Sequence, residues 1–376
     1  MTGETERMNS YKRQLLCIGL GIVIALLRAL LSAFPTVIDT YYSKGINKWW
    51  IEQLSRLSAL FPFSIFELLI YIAIVVFVAA LIFYSIKLIQ NHKKWGSLIL
   101  QYLLNLLAAF SIGYCIFILF WGLNYDRPSL EADFSLASEG HDPEELIALY
   151  EQLIQQVNEA RLNTRENEQG IFIANGSYHD IFKRAPIGYE HAAQTYPVLS
   201  GTYGLAKPIL TSKLMNYTNI TGIYSPFTAE ANVNVAVPDS TLLFTTMHEM
   251  AHQRGYASEN EANFIAFLTC IHHPDPDFIY AGYLSALNYT NVALAKVDSE
   301  SLIELNAQLS DGVRRDMRYL NEFWAQYEGK VEETFNSMNQ TYLTLNGIKD
   351  GVRSYGRVVD LLLAFYDHES LDSQIL

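Results

Sequence analysis

Two histidines four residues apart, with a glutamate directly after the first, form the run His248-Glu249-Met250-Ala251-His252. On a helix, side chains four apart project from one face about one turn from each other, so two imidazoles can share one tetrahedral Zn2+. Glu249 then falls beside the open coordination position. There a carboxylate can take a proton from metal-activated water and later return it to a leaving amine. Such a metal lowers the pKa of its water to about 7, which makes the chemistry available at neutral pH. The pattern points to a zinc metallopeptidase acting on a peptide or protein substrate, with His248 and His252 as ligands and Glu249 as general base.

A third protein ligand is needed, and Ser258-Glu259-Asn260-Glu261-Ala262-Asn263 offers two. Gly255 lets the chain reverse, and Ser258 with Glu261 has capping-box spacing for a new helix. On that helix Glu259, Ala262, Asn263 and Ala266 share one face, while Glu261 lies with Phe264, Ile265 and Leu268. A ligand helix must approach the histidine helix closely, which the alanine face permits. Glu259 is therefore expected as the ligand, Asn263 as the group that orients a ligand from behind, and Glu261 as a cap. The alternative has Glu261 on the metal and Glu259 in solvent. For the oxyanion of a tetrahedral intermediate, Arg353 and Tyr355 stand on the turn Asp350–Gly356, and Tyr355 is taken as the catalytic candidate. Glu230, His191, His272 and His273 are polar groups to which no ligand role is given.

The elements that must position these residues are legible in part. Ala231–Val237 alternates valine with small or polar residues and reads as a short strand closed by Pro238. Asp239 or Ser240 can cap a helix beginning near Thr241, and Gly255 suits its left-handed terminator. Zinc peptidases commonly place an edge strand beside this helix and bind the substrate backbone along it. Asp142-Pro143-Glu144-Glu145 reads as the start of another helix. Asp126–Asp142 reads as a polar linker, Gly170–Gly222 as mixed short elements, and the remainder to Leu376 as mostly helical with a Gly-rich break at Asn346–Gly356.

The first third is of another kind. Leu15–Phe34, with Arg28 its one charge, Leu68–Ile86 and Leu98–Trp121 are each long enough to cross a bilayer core, which takes about 20 helical residues. None shows the polar stripe of a soluble helix, so residues 1–121 are expected as a three-helix membrane region and 122–376 as a water-facing domain. The two parts differ in charge: up to Trp121 there are 10 Lys/Arg against 5 Asp/Glu, and from Gly122 onward 16 against 34. No basic face exists to neutralise phosphates, which excludes a nucleic-acid binder. Lys87, Lys93 and Lys94 after the second span, with Arg7, Lys12 and Arg13 at the N-terminus, place those segments in the cytoplasm and the large domain outside. Three cysteines, two of them in apolar segments, make no disulfide framework.

With these residues in view, the chain resembles a bacterial family of multi-span membrane proteins, domain-of-unknown-function family 3810. The resemblance runs over Ile223-Tyr224-Ser225-Pro226-Phe227-Thr228, His248 to Gly255, Glu259 to Asn263 and Ser354-Tyr355-Gly356. It implies a bacterial cytoplasmic membrane protein and a zincin-like domain, and it brings no substrate. The Glu-x-x-Ala-Asn pattern is also similar to the third-ligand segment of membrane gluzincins, which gives Glu259 the ligand role. In most of those enzymes this glutamate lies much further from the second histidine, whereas here six residues intervene. A Gly turn with a nearby ligand is similar to metzincins, but Ser258 stands where their third histidine would be. The expected architecture is mainly α, with three membrane helices followed by an α+β zincin-like domain of gluzincin type. Two other function classes stand beside the peptidase: a non-catalytic binding or assembly protein on the same scaffold, and a transporter, for which three spans carrying one charge make a poor solute path.

Overall fold

Three helices are long and apolar enough to cross a bilayer in the computed structural model: Met8–Leu31, Ile65–Gln90 and Trp95–Phe120. Each starts before the apolar stretch read from the sequence; the second also ends beyond it, at Gln90, whereas the first ends at Leu31, short of Phe34, and the third at Phe120, short of Trp121. Arg28, alone among apolar neighbours, forms an ion pair with Asp126 at 2.8 Å. Gln14 donates to Asn105 at 2.5 Å and Asn105 to the Tyr84 hydroxyl at 2.9 Å, so polar side chains link all three helices where lipid offers no partner. The structure describes residues 2–134, 136, 142–346 and 355–375.

The connection between the first two spans is helical too. A π-helical stretch, Ile38–Asn47, runs into the α-helix Lys48–Ser58, which buries Ile51, Ser55 and Ser58 at helical spacing. That helix passes from one compact unit to another. The first unit comprises Met1–Trp50, Ile65–Arg127 and Pro226–Thr228, and the second Ile51–Ser64, Pro128–Ser225 and Ala229–Leu376.

The second unit is mainly helical with few strands. β1 (Arg165–Glu166) and β2 (Phe172–Ile173) form a small antiparallel pair. β3 (Lys207–Pro208), β4 (Gly222–Ser225) and β5 (Glu230–Val233) form a sheet of order β3-β5-β4, with β3 parallel and β4 antiparallel to the central β5. Helix Asp239–His252 packs against it, helices Glu259–Ile271 and Pro276–Val297 pack on that helix and on each other, and Glu259–Ile271 is buried from Ala262 to Cys270. Helix Pro143–Leu162 starts as its sequence requires, with Asp142 accepting from the amides of Glu144 and Glu145.

Several expectations are corrected. The 126–142 segment is not simply a linker, since Leu130 and Phe134 are buried and the Phe134 ring packs tilted against Tyr196 and edge-on against Phe264. The strand expected to reach Val237 stops at Val233, because the Asn234 side chain donates to Asn216 and accepts from the Ala236 amide, an Asx turn that ends the ladder. Asp239 does not cap its own helix; its carboxylate accepts from the Ala174 amide. Within the stretch read as short elements lies an 18-residue helix, Tyr178–Thr195, opened by a Ser177/Asp180 capping box and continuing through Pro186.

Gly188 on that helix faces the carbonyl of Thr269, and a Cβ there would stand 2.4 Å from it and 2.7 Å from Met247 Cε. Backbone at that distance cannot move aside as a side-chain tip can. Gly188→Ala is expected to destabilise the second unit by about 1–3 kcal/mol, read as a lower melting temperature of the purified full-length protein. An unchanged melting temperature would show that the two helices are not held at this separation.

Candidate metal centre

The sheet and two helices bring three donors to one place. His248, His252 and Glu259 each offer a ligand atom, and these atoms all lie within 4.8 Å of one another. His248 Nε2 is 3.1 Å from His252 Nε2 and 3.1 Å from a Glu259 oxygen, and His252 Nε2 is 3.7 Å from the other Glu259 oxygen. Ligand atoms around a tetrahedral zinc at about 2.0–2.1 Å stand about 3.3 Å apart. The observed separations bracket that edge length.

The far side of each imidazole fixes which nitrogen faces the centre. His252 Nδ1 is 2.6 Å from the carbonyl of Tyr256, which can only accept, so the ring donates there and keeps its Nε2 lone pair for a cation. His248 Nδ1 lies 2.8 Å from Asn263 Oδ1, with the same result. Gly255 makes the first contact possible: at φ +88 it turns the chain so that Tyr256 comes back over the histidine. Asn263 occupies the orienting position expected of it, one turn after Glu259. Two imidazoles, each held from behind at Nδ1, and a carboxylate suit Zn2+ by donor chemistry.

Glu249 lies against this group, 4% exposed, and its Oε2 has no hydrogen-bond partner. Burial pushes its carboxyl up to about 7, opposed by the charge of His248 and His252 and by the backbone N–H of Tyr224. Gly222 on β4 makes room for it, since a Cβ at that position would fall 2.4 Å from Glu249 Oε1. For Glu259, burial opposes ionisation, yet the two histidines prevail and hold the carboxyl well below the usual range. For His252 burial likewise opposes charge, and Glu259 lifts it to about 9. The pair thus shares a proton that a bound cation would displace.

The other sequence candidates are placed elsewhere. Glu261 does not form the capping box with Ser258; its Oε1 accepts from the amide of Leu130 at 2.8 Å, fastening the 128–134 segment to the ligand helix. Glu230 pairs with Lys207, His273 meets the Arg184 carbonyl, and His272 the carbonyl of Leu268. Arg353 and the side chain of Tyr355 lie outside the described residues; Tyr355 opens the last helix, which packs Phe365 on Phe264 and Phe267. Gly222, Tyr224 and Tyr256 were not singled out for the site by spacing. Their contributions are a missing side chain and two backbone groups, which residue types do not advertise.

The chain belongs to a family described as "Protein of unknown function (DUF3810)", whose model matches residues 42–363. No curated protein and no solved structure matches it.

The two glutamates are expected to separate by elemental analysis of the purified full-length protein. The unsubstituted chain is expected to retain about one metal ion, Glu259→Ala to lose it, and Glu261→Ala to keep it and melt at lower temperature. Metal retained by Glu259→Ala and lost by Glu261→Ala would reverse the assignment. Asn263→Ala should weaken metal affinity about 10- to 100-fold.

Proposed function

We propose that this chain is a membrane-anchored zinc metallopeptidase with a zincin-like second unit, in which His248, His252 and Glu259 hold Zn2+ and Glu249 is the general base. The observation that carries the reading is the convergence of those three donors beside a buried carboxylate whose Oε2 is unpartnered. A buried carboxylate oxygen without a partner costs free energy, and a catalytic base explains why the cost is retained.

Bound by these residues, the metal supplies Lewis acidity and a water acidic enough to ionise near neutral pH. Glu249 accepts a proton at Oε2 and later delivers it to the leaving amine nitrogen, so the same carboxyl ends as it began. Its elevated affinity for a proton suits both halves of that cycle. Gly222 keeps the carboxylate in place, and Asn263 and the Tyr256 carbonyl hold the imidazoles so that no ligand must reorient. β4 is the edge of its sheet and runs antiparallel to β5, with Tyr224 donating to Glu249. An extended substrate backbone can add along that edge.

The positive segments around Lys87–Lys94 and the N-terminus support an extracytoplasmic domain in a bacterial cytoplasmic membrane. The second unit includes 51–64 together with 128–225 and 229–376. Two candidate spans separate these segments in sequence, so both fall on one side of the bilayer.

Glu249→Gln is expected to retain zinc and lower kcat on a fluorogenic peptide mixture by about 100-fold or more. Turnover equal to the unsubstituted protein would defeat the mechanism. Gly222→Ala should also lower kcat while keeping the metal, because it displaces only the base.

A further inference from the structure

The segment between the first two spans enters the second unit close to the candidate metal centre. Ser55 accepts from Gln253, the residue after the second histidine ligand, at 2.8 Å, and its Oγ also accepts from the Gly204 amide at 2.7 Å. Lys207 on β3 is buried and donates to the carbonyls of Ser58 and Phe63 at 2.6 and 3.1 Å and to Glu230 at 2.5 Å. Phe63 stands two residues before Ile65, where the second apolar helix begins. Glu230 opens β5, its neighbour Ala231 pairs with Tyr224, and Tyr224 donates to Glu249. Hydrogen bonds and one strand pairing therefore connect Phe63 to the general base within the second unit.

Chain continuity sets the depth of this junction. The residues just before a bilayer-crossing helix lie among the lipid headgroups, a layer about 5–7 Å thick on each side of the hydrocarbon. The surface around the junction has the matching chemistry. Leu60 is 74% exposed and Leu210 80%, and Leu57, Phe61, Phe63 and Leu214 are exposed as well. Phe61 and Phe63 hold their rings 5.8 Å apart. Such side chains burden a water-facing surface but suit the headgroup boundary; exposed Lys213 adds a charge that lipid phosphates attract, and exposed Arg56 pairs with Glu52 at 3.7 Å.

We propose that the 57–63 and 205–214 segments form a lipid-seated surface that holds the metal centre at headgroup depth, so that the substrate is the juxtamembrane stretch of a membrane-anchored polypeptide. The lipid seat stands on the contacts above, and the substrate class rests on the peptidase reading. Its physical content is steric: an extended strand adding to β4 would be drawn from chain lying within a few residues of the bilayer surface.

The test uses the full-length protein in phosphatidylethanolamine/phosphatidylglycerol vesicles. Spin labels are placed one at a time by Leu60→Cys, Leu210→Cys and Ile303→Cys on a Cys17→Ser background; the other two cysteines are buried. Ile303 is 72% exposed on another helix of the second unit and serves as the water-facing reference. Labels at 60 and 210 should collide preferentially with oxygen, and the label at 303 with a water-soluble nickel chelate; chelate access at 60 and 210 equal to that at 303 would overturn the lipid seat. In the same vesicles, a peptide carried about five residues from a transmembrane anchor should be cleaved at least tenfold faster than one carried about forty residues away. Equal rates would overturn the substrate class. Cleavage of neither peptide, with labels 60 and 210 in lipid, would defeat the peptidase reading and the substrate class together while upholding the lipid seat.

Discussion

Burial along most of its length is what fixes the ligand helix Glu259–Ile271. From Ala262 to Cys270 every residue is buried, so it has no polar stripe to float toward solvent. Its neighbours approach closely: Gly188 faces the Thr269 carbonyl, and the rings of Phe134 and Phe365 lie on Phe264. Its first turn reaches the surface, and that turn carries Glu259. The position of the carboxylate is therefore inherited from the apolar packing behind it. This is why Glu259 and Asn263 can meet two imidazoles on another helix without an interhelical loop long enough to adapt.

The histidine helix is fixed by a different means, at its C-terminal end and through polar groups. Gln253 donates to Ser55, to the Gly204 carbonyl and to the Ala229 carbonyl. Arg254, also buried, lies 3.5 Å above the Tyr189 ring and 4.6 Å from that of Tyr203, and donates to the carbonyls of Leu199 and Met250. Buried polar groups are costly unless satisfied; the Gln253 amide nitrogen and the Arg254 Nε and Nη1 find acceptors, while Gln253 Oε1 has no partner. The two residues after the second histidine thus fasten the helix to separate parts of the second unit. One of them, Gln253, reaches the segment that leads to the second apolar helix.

What the sequence disclosed and what it withheld divide along the range of the interaction involved. The i, i+4 histidines, the Gly255 turn, the Glu259/Asn263 face and the three apolar spans all follow from spacing or composition within one element, and they could be read. Helix Tyr178–Thr195 could not, because Pro186 and Gly188 are locally unfavourable in a helix interior; capping at Ser177 and burial of Ile181, Phe182, Ala185 and Tyr189 outweigh them. Glu261 looked like a cap because capping boxes are local patterns, yet its partner, Leu130, is 131 residues away. The early end of β5 depended on Asn216, and the place of residues 51–64 on Lys207 and Gln253. Pairings of that range leave no mark on periodicity.

The 51–64 segment also constrains how the chain can be threaded. Its donors and acceptors in the second unit are buried groups, with Ser55 fully inaccessible and Lys207 5% exposed. Lys207 has no substitute for the Ser58 and Phe63 carbonyls except Glu230, and an ammonium held in an apolar surround with one partner in place of three is costly. Forming the second unit therefore requires a piece of chain from before the second apolar helix and another from after the third. Residues beyond 128 can complete that fold only once the earlier segment is delivered to the same face of the membrane. A segment separated in sequence from its partners by two apolar helices thus links membrane topology to the assembly of the candidate centre, through the same side chains that fix the end of the histidine helix.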